Sequence, residues 1–422
     1  MYDYLVPGPR AKGTTFQAAM KLTIIIGQVF GLLPVVGVSE KDSSKIRFTI
    51  FSWRCLYSCL TIMGQSTFMV FCILSLVKNT EESLSSNTSI VFYSTNCLIT
   101  VLFFRIATRW PRLCRQIAKV EAIDPNPDNT LVRKCNAACI ITLSLAAVEH
   151  VFADISGLSG ALDCPTGKHL YEAFITTSFP WIYSFITYND LLGLITQIIN
   201  LQCTFNWNFS DVFVICVSFF LTSRLEQVNK RIVAVKGKYV PSTFWRSIRE
   251  DYCRAASLVR KVDDVIGGII FISFANNLFF ICLQMLHTFV EGVSAKPSCK
   301  YDAPDERLFR GYEQAIYFVY SCVFLVARSL AVSLIAAQVH TASTKPAQAL
   351  YRVSSSAYCV EIQRLLDQIH MDTVALSGIQ FFNVTRGLVL TVAGTIVTYE
   401  LVLMQFTGVS PTSASPTVPS PT

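Results

Sequence analysis

Apolar residues in this chain gather in long runs separated by shorter polar stretches. A helical bilayer crossing needs about 20 mostly apolar residues. Seven runs meet that length, at 48–77, 89–108, 135–157, 201–223, 264–288, 314–338 and 384–406. The expected fold class is an all-α integral membrane protein of seven transmembrane helices. Two further runs are interrupted. "LTIIIGQVFGLLPVVGV" carries Gly27, Gly31, Pro34 and Gly37, and "FPWIYSFITYNDLLGLITQIIN" carries Pro180, Asn189, Asp190 and Gly193.

Charge decides how those two are read, because Lys and Arg collect on the cytoplasmic side of membrane proteins. The stretch after the second run holds Arg105, Arg109, Arg112, Arg115, Lys119, Arg133 and Lys134. The stretch after the fourth is also basic, from Arg224 to Lys261. Both belong inside, so an even number of crossings separates them. The third and fourth runs supply two. The 174–199 segment is therefore expected to bend at the outer face rather than cross. Lys21 on one side and Lys41, Lys45 and Arg47 on the other likewise keep both flanks of 22–38 inside, as a re-entrant or membrane-surface element. The N-terminus is expected inside and the C-terminus outside. The sequon Asn87-Thr88-Ser89 then falls in the first outer loop, where a glycosylation site belongs.

Composition agrees with a membrane protein. Residues are 52% hydrophobic and 15% charged, with a mean hydropathy of +0.46 and a net charge of +7. A soluble domain carries about 25% charged residues. The 15 cysteines are scattered, mostly in apolar runs, where Cys behaves as a small hydrophobe. Only Cys164 and Cys299 fall in outer loops, so at most one disulfide is expected. There is no metal-ligand spacing, no nucleophile motif and no phosphate-binding glycine loop. Neither an enzyme, a cofactor, a metal nor a nucleic-acid partner is expected. Residues 345–382 alternate charged and apolar positions in an amphipathic helical pattern. Together with 225–262 they form either a cytoplasmic base or two helices lying on the membrane.

The last run ends in "TYELVLMQF". Thr391, Thr395, Thr398, Val402 and Gln405 are spaced by four, three, four and three, which sets them on one helical stripe. Hydroxyls on such a stripe either bond neighbouring helices or line water. In the second case Gln405 and Phe406 make a polar girdle and an apolar constriction, which gates by dewetting. One helix encloses no pore, so that reading requires an oligomer. Glu400 lies off the stripe and needs either a partner, for which Arg328 in the sixth run is one candidate, or a water-filled vestibule.

"TYELVLMQF" resembles the C-terminal signature of insect gustatory receptors, Thr-Tyr, five mostly hydrophobic residues, Gln-Phe. Glu400 at the first of those five positions resembles the sugar-receptor branch. "FGLLPVVGV" at 30–38, "FSWRCLY" at 51–57 and "FNWNFSDVFV" at 205–214 point the same way, and the resemblance runs from about residue 20 to 406. It implies a tetrameric, sugar-gated, non-selective cation channel in the plasma membrane of taste receptor neurons, as a homotetramer or with related receptors. Thr398, Val402, Gln405 and Phe406 would form the pore and gate, with permeant cations and membrane lipid as further partners. The organisation expected from hydropathy and charge is a cytoplasmic N-terminal part (1–46), spans one to four with an outer segment at 158–200 (47–223) and a cytoplasmic helical extension (224–263). Spans five and six (264–338), anchor helices (339–383), a pore-lining span (384–406) and a disordered extracellular tail (407–422) follow.

A sugar offers hydroxyls and apolar C–H faces, so its site needs planar hydrogen-bonding groups and aromatic rings. Candidates in the outer half are Glu149, His150 and Asp154 in the third span, Trp207 and Asp211 in the fourth, Asn276 and Asn277 in the fifth, Tyr317 in the sixth, and Trp181 in the outer segment. Asn276 and Asn277 also suit bonds between helices, and Trp181 suits a headgroup anchor. The alternative is a seven-helix G-protein-coupled or other non-channel chemoreceptor. That coupled class has its N-terminus outside. A transporter would show internal repeats, which the chain lacks.

Overall fold

The computed structural model describes residues 15–40, 42–78, 84–123, 128–163, 169–235, 237–291, 312–355 and 358–406. Cys164, Cys299 and the tail 407–422 lie outside these, as do the side chains of Asn87, Glu400, Gln405 and Phe406. The described chain is almost wholly helical. Six helices are long and apolar enough to cross a membrane: α2 (Trp53–Lys78), α3 (Leu84–Ile123), α4 (Leu131–Asp163), α7 (Asp190–Ala234), α8 (Ser242–Glu291) and α9 (Glu313–Thr344). The last helix, α12 (Arg386–Phe406), has an apolar described stretch of Arg386–Tyr399, shorter than those six.

α1 (Phe16–Val29) has 14 residues, about 21 Å of helix, too short to cross. Thr15 caps it by accepting from the Ala18 N–H. Gly27 does not break it. A Cβ there would meet the Phe209 ring at 2.6 Å, so the glycine lets α1 lie close against α7. After α1 the chain turns through Gly31 at φ +81° into a two-stranded hairpin, β1 (Val35–Val36) with β2 (Arg47–Phe48), antiparallel with Val35 opposite Phe48. The Gln28 amide donates to the Leu33 and Val35 carbonyls and so satisfies the turn that reverses the chain.

The bent outer segment is shorter than the sequence suggested. α5 (Leu170–Ser178) and α6 (Pro180–Tyr183) are short, as Pro180 at the first position of α6 requires. From residue 190 onward, however, the chain already belongs to α7. Asn189 is its N-cap, accepting from the Leu191 N–H at 2.9 Å, and Asp190 is its first-turn acid. Residues read as helix breakers are thus a helix start. At 45 residues, α7 is about 68 Å long, well beyond a 30 Å hydrocarbon core.

α7 is the central helix, buried on nearly every side from Asn206 to Leu221. A large apolar core surrounds it, drawn from α1, α3, α4, α8 and α9. A smaller aromatic cluster fills the end that carries α5 and α6, with Phe68, Tyr93, Phe174, Phe179 and Trp181. At the opposite end, Gly237 at φ +76° turns the chain from α7 into α8. There α11 (Val360–Met371) closes over α8, and α10 (Pro346–Leu350) packs on α7 and α11. The Leu365, Leu366 and Ile369 face of α11 is buried, and Arg249 donates to Glu361 at 2.7 Å. This salt bridge holds the Glu361 carboxyl below its ordinary value of 4.5.

Candidate functional site

Two polar clusters sit inside the bundle, one above the other along α9. The deeper one centres on Asp211 of α7 and Arg328 of α9. Their side chains are 0% and 3% exposed, and Arg328 Nε lies 3.1 Å from Asp211 Oδ2. Ser273 donates to the other Asp211 oxygen, and Asn277 donates to Oδ2 at 3.1 Å. Arg328 donates in turn to Asn208 and, at 3.3 Å, to Asn277. Its guanidinium lies 4.6 Å from the centre of the Trp207 ring and 5.4 Å from that of Phe324. Helical spacing builds this. Trp207 and Asp211, Ser273 and Asn277, and Phe324 and Arg328 are each four apart, so three helices each turn two neighbouring side chains inward. A buried ion pair is stable only when its remaining hydrogen-bonding capacity is also met, and here the asparagines and serine meet all of it except the Arg328 Nε donor, which lies near Asp211 without making a hydrogen bond.

The Glu400–Arg328 pairing suggested by the sequence is therefore replaced. Arg328 faces the bundle interior, where Asp211 neutralises it. Sequence placed Asp211 at the outer start of a span, but in the 45-residue α7 it lies about 32 Å along the helix from Asp190.

The second cluster is two helical turns from the first. Ser321 of α9 donates to Glu149 of α4 at 2.6 Å and accepts from Gln284 of α8 at 3.0 Å. Tyr317 precedes Ser321 by one turn on the same α9 face. Beside them His150 Nε2 lies 3.6 Å from Asp154, and Gln197 of α7 donates to Asp154 at 2.8 Å. Aromatic rings span the gap between the clusters. Trp207 contacts Phe280 at 4.6 Å and Phe92 at 6.0 Å. Three donors in this region, Arg328 Nε, Trp207 Nε1 and Asn276 Nδ2, are buried without a hydrogen-bond acceptor among the described residues. Such groups are costly to leave unmet.

The structure thus gathers Glu149, Tyr317, Trp207, Asp211 and Asn277 in the α4–α7–α8–α9 interior, with His150 and Asp154 at its edge, while Asn276 is buried on α8 beside Asn277 in sequence. Trp181 stands apart in the aromatic cluster, 4.9 Å from Tyr93 and 5.2 Å from Phe68. It connects to Trp207 only through a relay of rings, Tyr93 to Phe92 at 5.1 Å and Phe92 to Trp207. Sequence reasoning missed Ser273, Ser321 and Phe280. The seven-residue spacing of Ser321 from Arg328 was the available signal. Among the described residues no three His, Cys, Asp or Glu side chains are grouped to hold a metal.

α12 carries its threonine stripe on an exposed surface. Thr391, Thr395 and Thr398 are exposed, and their hydroxyls donate only to carbonyls of their own helix, those of Gly387, Thr391 and Gly394. Within one subunit these hydroxyls do not serve as glue to a neighbouring helix.

Residues 10–415 match the trehalose receptor family. The chain belongs to that family. It is 32% identical over 400 residues to the gustatory receptor for sugar taste 64f of Drosophila melanogaster, covering 93% of this chain and 81% of the relative. It is 30% identical over 397 residues to the gustatory receptor 5a for trehalose of the same organism, covering 93% and 85%. The resemblance first carried by "TYELVLMQF" holds, and the protein is a membrane-helical sugar gustatory receptor by family. The insect olfactory receptor OR5 from Machilis hrabei shares the fold, with a TM-score of 0.62 at 15% identity over 92% of this chain and 97% of that one.

Proposed function

We propose that the protein is a sugar-gated cation channel of taste neurons, with its N-terminus in the cytoplasm. Four copies surround one axis, and each contributes α12 to the pore. The sugar lies between the two polar clusters. The observation that carries this is the two neutral orphaned donors, Trp207 Nε1 and Asn276 Nδ2, with the Phe280 and Phe92 rings against Trp207. A sugar hydroxyl oxygen gives each donor its missing acceptor, the rings take an apolar sugar face, and Glu149 accepts from a hydroxyl.

The exposed threonine stripe of α12 supports the channel part of the reading, since hydroxyls without a neighbour suit water or ions. Gln405 and Phe406 end that helix as girdle and gate. Sugar opens the pore by binding the open arrangement more tightly than the closed one. The deciding experiment records from cells expressing this chain alone while sugars, trehalose first, are applied. Rapid cation currents that persist in excised patches without guanine nucleotides are expected. Sugar responses that require a G protein would overturn the channel reading in favour of a coupled receptor.

A further inference from the structure

Beyond ligand and pore, α3 carries a feature that neither uses. Arg105, Arg109, Arg112, Arg115 and Lys119 are all exposed and spaced by four, three, three and four. At 100° per residue they fall within an arc of about 120° and rise about 21 Å along the helix. None of the five has an acidic partner among the described residues; Arg115 alone makes a bond, from Nε to the Pro111 carbonyl at 3.1 Å. The acids nearby are engaged elsewhere. Glu121, the one acid of α3, lies on the opposite face, where it accepts from Arg224 at 2.9 Å and from the Phe16 N–H at 2.7 Å. Glu40 holds Lys45 at 3.1 Å, Asp42 caps Ser44, and Asp128 lies 3.7 Å from Lys134.

A second observation fixes the height of this stripe. The β1–β2 hairpin packs on α3, with the Phe48 ring 5.7 Å from Phe104, the residue before Arg105. The chain that follows Phe48 presents Ile50 at 69%, Phe51 at 99% and Trp53 at 74% exposure, and α2 begins at Trp53. An exposed Trp and Phe at the start of a spanning helix mark the headgroup boundary. Arg105 therefore sits at that boundary, and the other four cations project past it.

We infer that this face of α3, with the Ile50–Trp53 tip as its anchor, binds the headgroups of polyphosphorylated inositol lipids. Juxtamembrane clusters of four to eight cations attract anionic lipid, each cation strengthening binding about fivefold. The headgroup layer is only about 5–8 Å deep on one side, whereas the stripe climbs about 21 Å. A single-phosphate headgroup engages its foot alone, while a ring bearing further phosphates reaches the middle of the stripe. The inference rests on the cytoplasmic placement of this end of the bundle, but not on channel activity.

The test uses the purified full chain in neutral-lipid nanodiscs. Binding of labelled short-chain phosphatidylinositol bisphosphate, phosphatidylserine and soluble inositol trisphosphate is titrated. The bisphosphate lipid should bind at least tenfold tighter than phosphatidylserine. R109Q/R112Q/R115Q should weaken it by tenfold or more while the size-exclusion profile stays that of the parent. F51S should weaken binding of the lipid but not of the soluble trisphosphate. R246Q/R364Q, at two arginines that already have glutamate partners, should change nothing. Equal binding of both lipids, an unaffected triple variant, or a trisphosphate that binds as tightly as the lipid would each overturn the inference. Loss of sugar currents with lipid binding intact would count against the channel reading alone.

Discussion

Removing Asp211 tests the reasoning about the bundle interior most directly. In Asp211→Ala the guanidinium of Arg328 keeps Asn208, Asn277 and the Trp207 face but loses the carboxylate paired with it. Breaking one side of a buried pair costs about 3–5 kcal/mol. The remaining cation–π contact, worth about 0.5–2 kcal/mol, places the expected loss near the lower end, at about 3 kcal/mol. Arg328→Met should cost a similar amount, because it strands the carboxylate with only Ser273 and Asn277. Replacing both partners with apolar side chains, Asp211→Leu with Arg328→Met, removes the charges together and should lie within about 1–2 kcal/mol of the parent, since such exchanges are often neutral or stabilising. The coupling energy is then about 4 kcal/mol. Thermal denaturation in detergent, followed by size exclusion, measures it, and surface biotinylation should show the single variants depleted and the double variant recovered. Single losses below about 1 kcal/mol that simply add in the double variant would refute the pair as a stabilising unit. A normally stable Asp211→Ala with a raised half-activating sugar concentration would instead make the carboxylate a sugar contact.

Glu149→Ala should raise the half-activating sugar concentration about tenfold or more at normal surface expression, because a hydrogen bond to a charged group is worth about 1.5–3 kcal/mol; unchanged dose–response curves remove Glu149 from the site. The Arg249 bond depresses the Glu361 carboxyl, so its contribution to the α8–α11 contact is complete above the ordinary value of 4.5 and is lost as pH falls through the lower folded value. Glu361→Gln should abolish that acid-sensitive part of the melting profile, and an identical pH profile would refute the link. Phe406→Ala should raise current without sugar, and Gln405→Lys should suppress cation current with sugar affinity nearly intact; normal single-channel records from both remove the motif from the gate. Epitope tags on intact cells should label the C-terminus alone, and an external N-terminus would revive the coupled-receptor reading.

Hydropathy made most helices legible, because burial in lipid demands long apolar segments whatever their neighbours. The error at α7 arose where a local signal has two meanings. Asn189 and Asp190 break a helix when inside it and start one when at its end, and sequence alone does not say which. Site residues were legible as types and not as partners. Asp211 and Asn277 were visible as polar groups in apolar runs. Their ligation to Arg328 depends on how α7, α8 and α9 rotate against each other, which is set by apolar packing along about 68 Å of α7. Ser273 and Ser321 stayed hidden because serine is common in membrane helices and carries no charge that must be explained.

The α12 stripe shows the same limit from the other side. Its spacing was readable at once, yet spacing fits interhelical glue and a water-lined wall equally well. What separates them is whether a neighbouring helix stands opposite the hydroxyls. Within one chain none of the three reaches another helix; each closes onto its own backbone. A hydroxyl bonded to its own helix costs little in lipid or in water, so the stripe does not by itself demand a pore. What favours the proposed pore is the helix as a whole. Outward-facing Thr391, Thr395 and Thr398 lie on a segment that leans on α8 and α9 and leaves much of its surface open. Lipid rewards apolar surface and gains nothing from three hydroxyls in register. In the proposed channel a shared axis would, because symmetry would stack the same three positions from every subunit into rings, and weak hydroxyl sites repeated around a lumen would hold water and ions where one helix alone would hold neither.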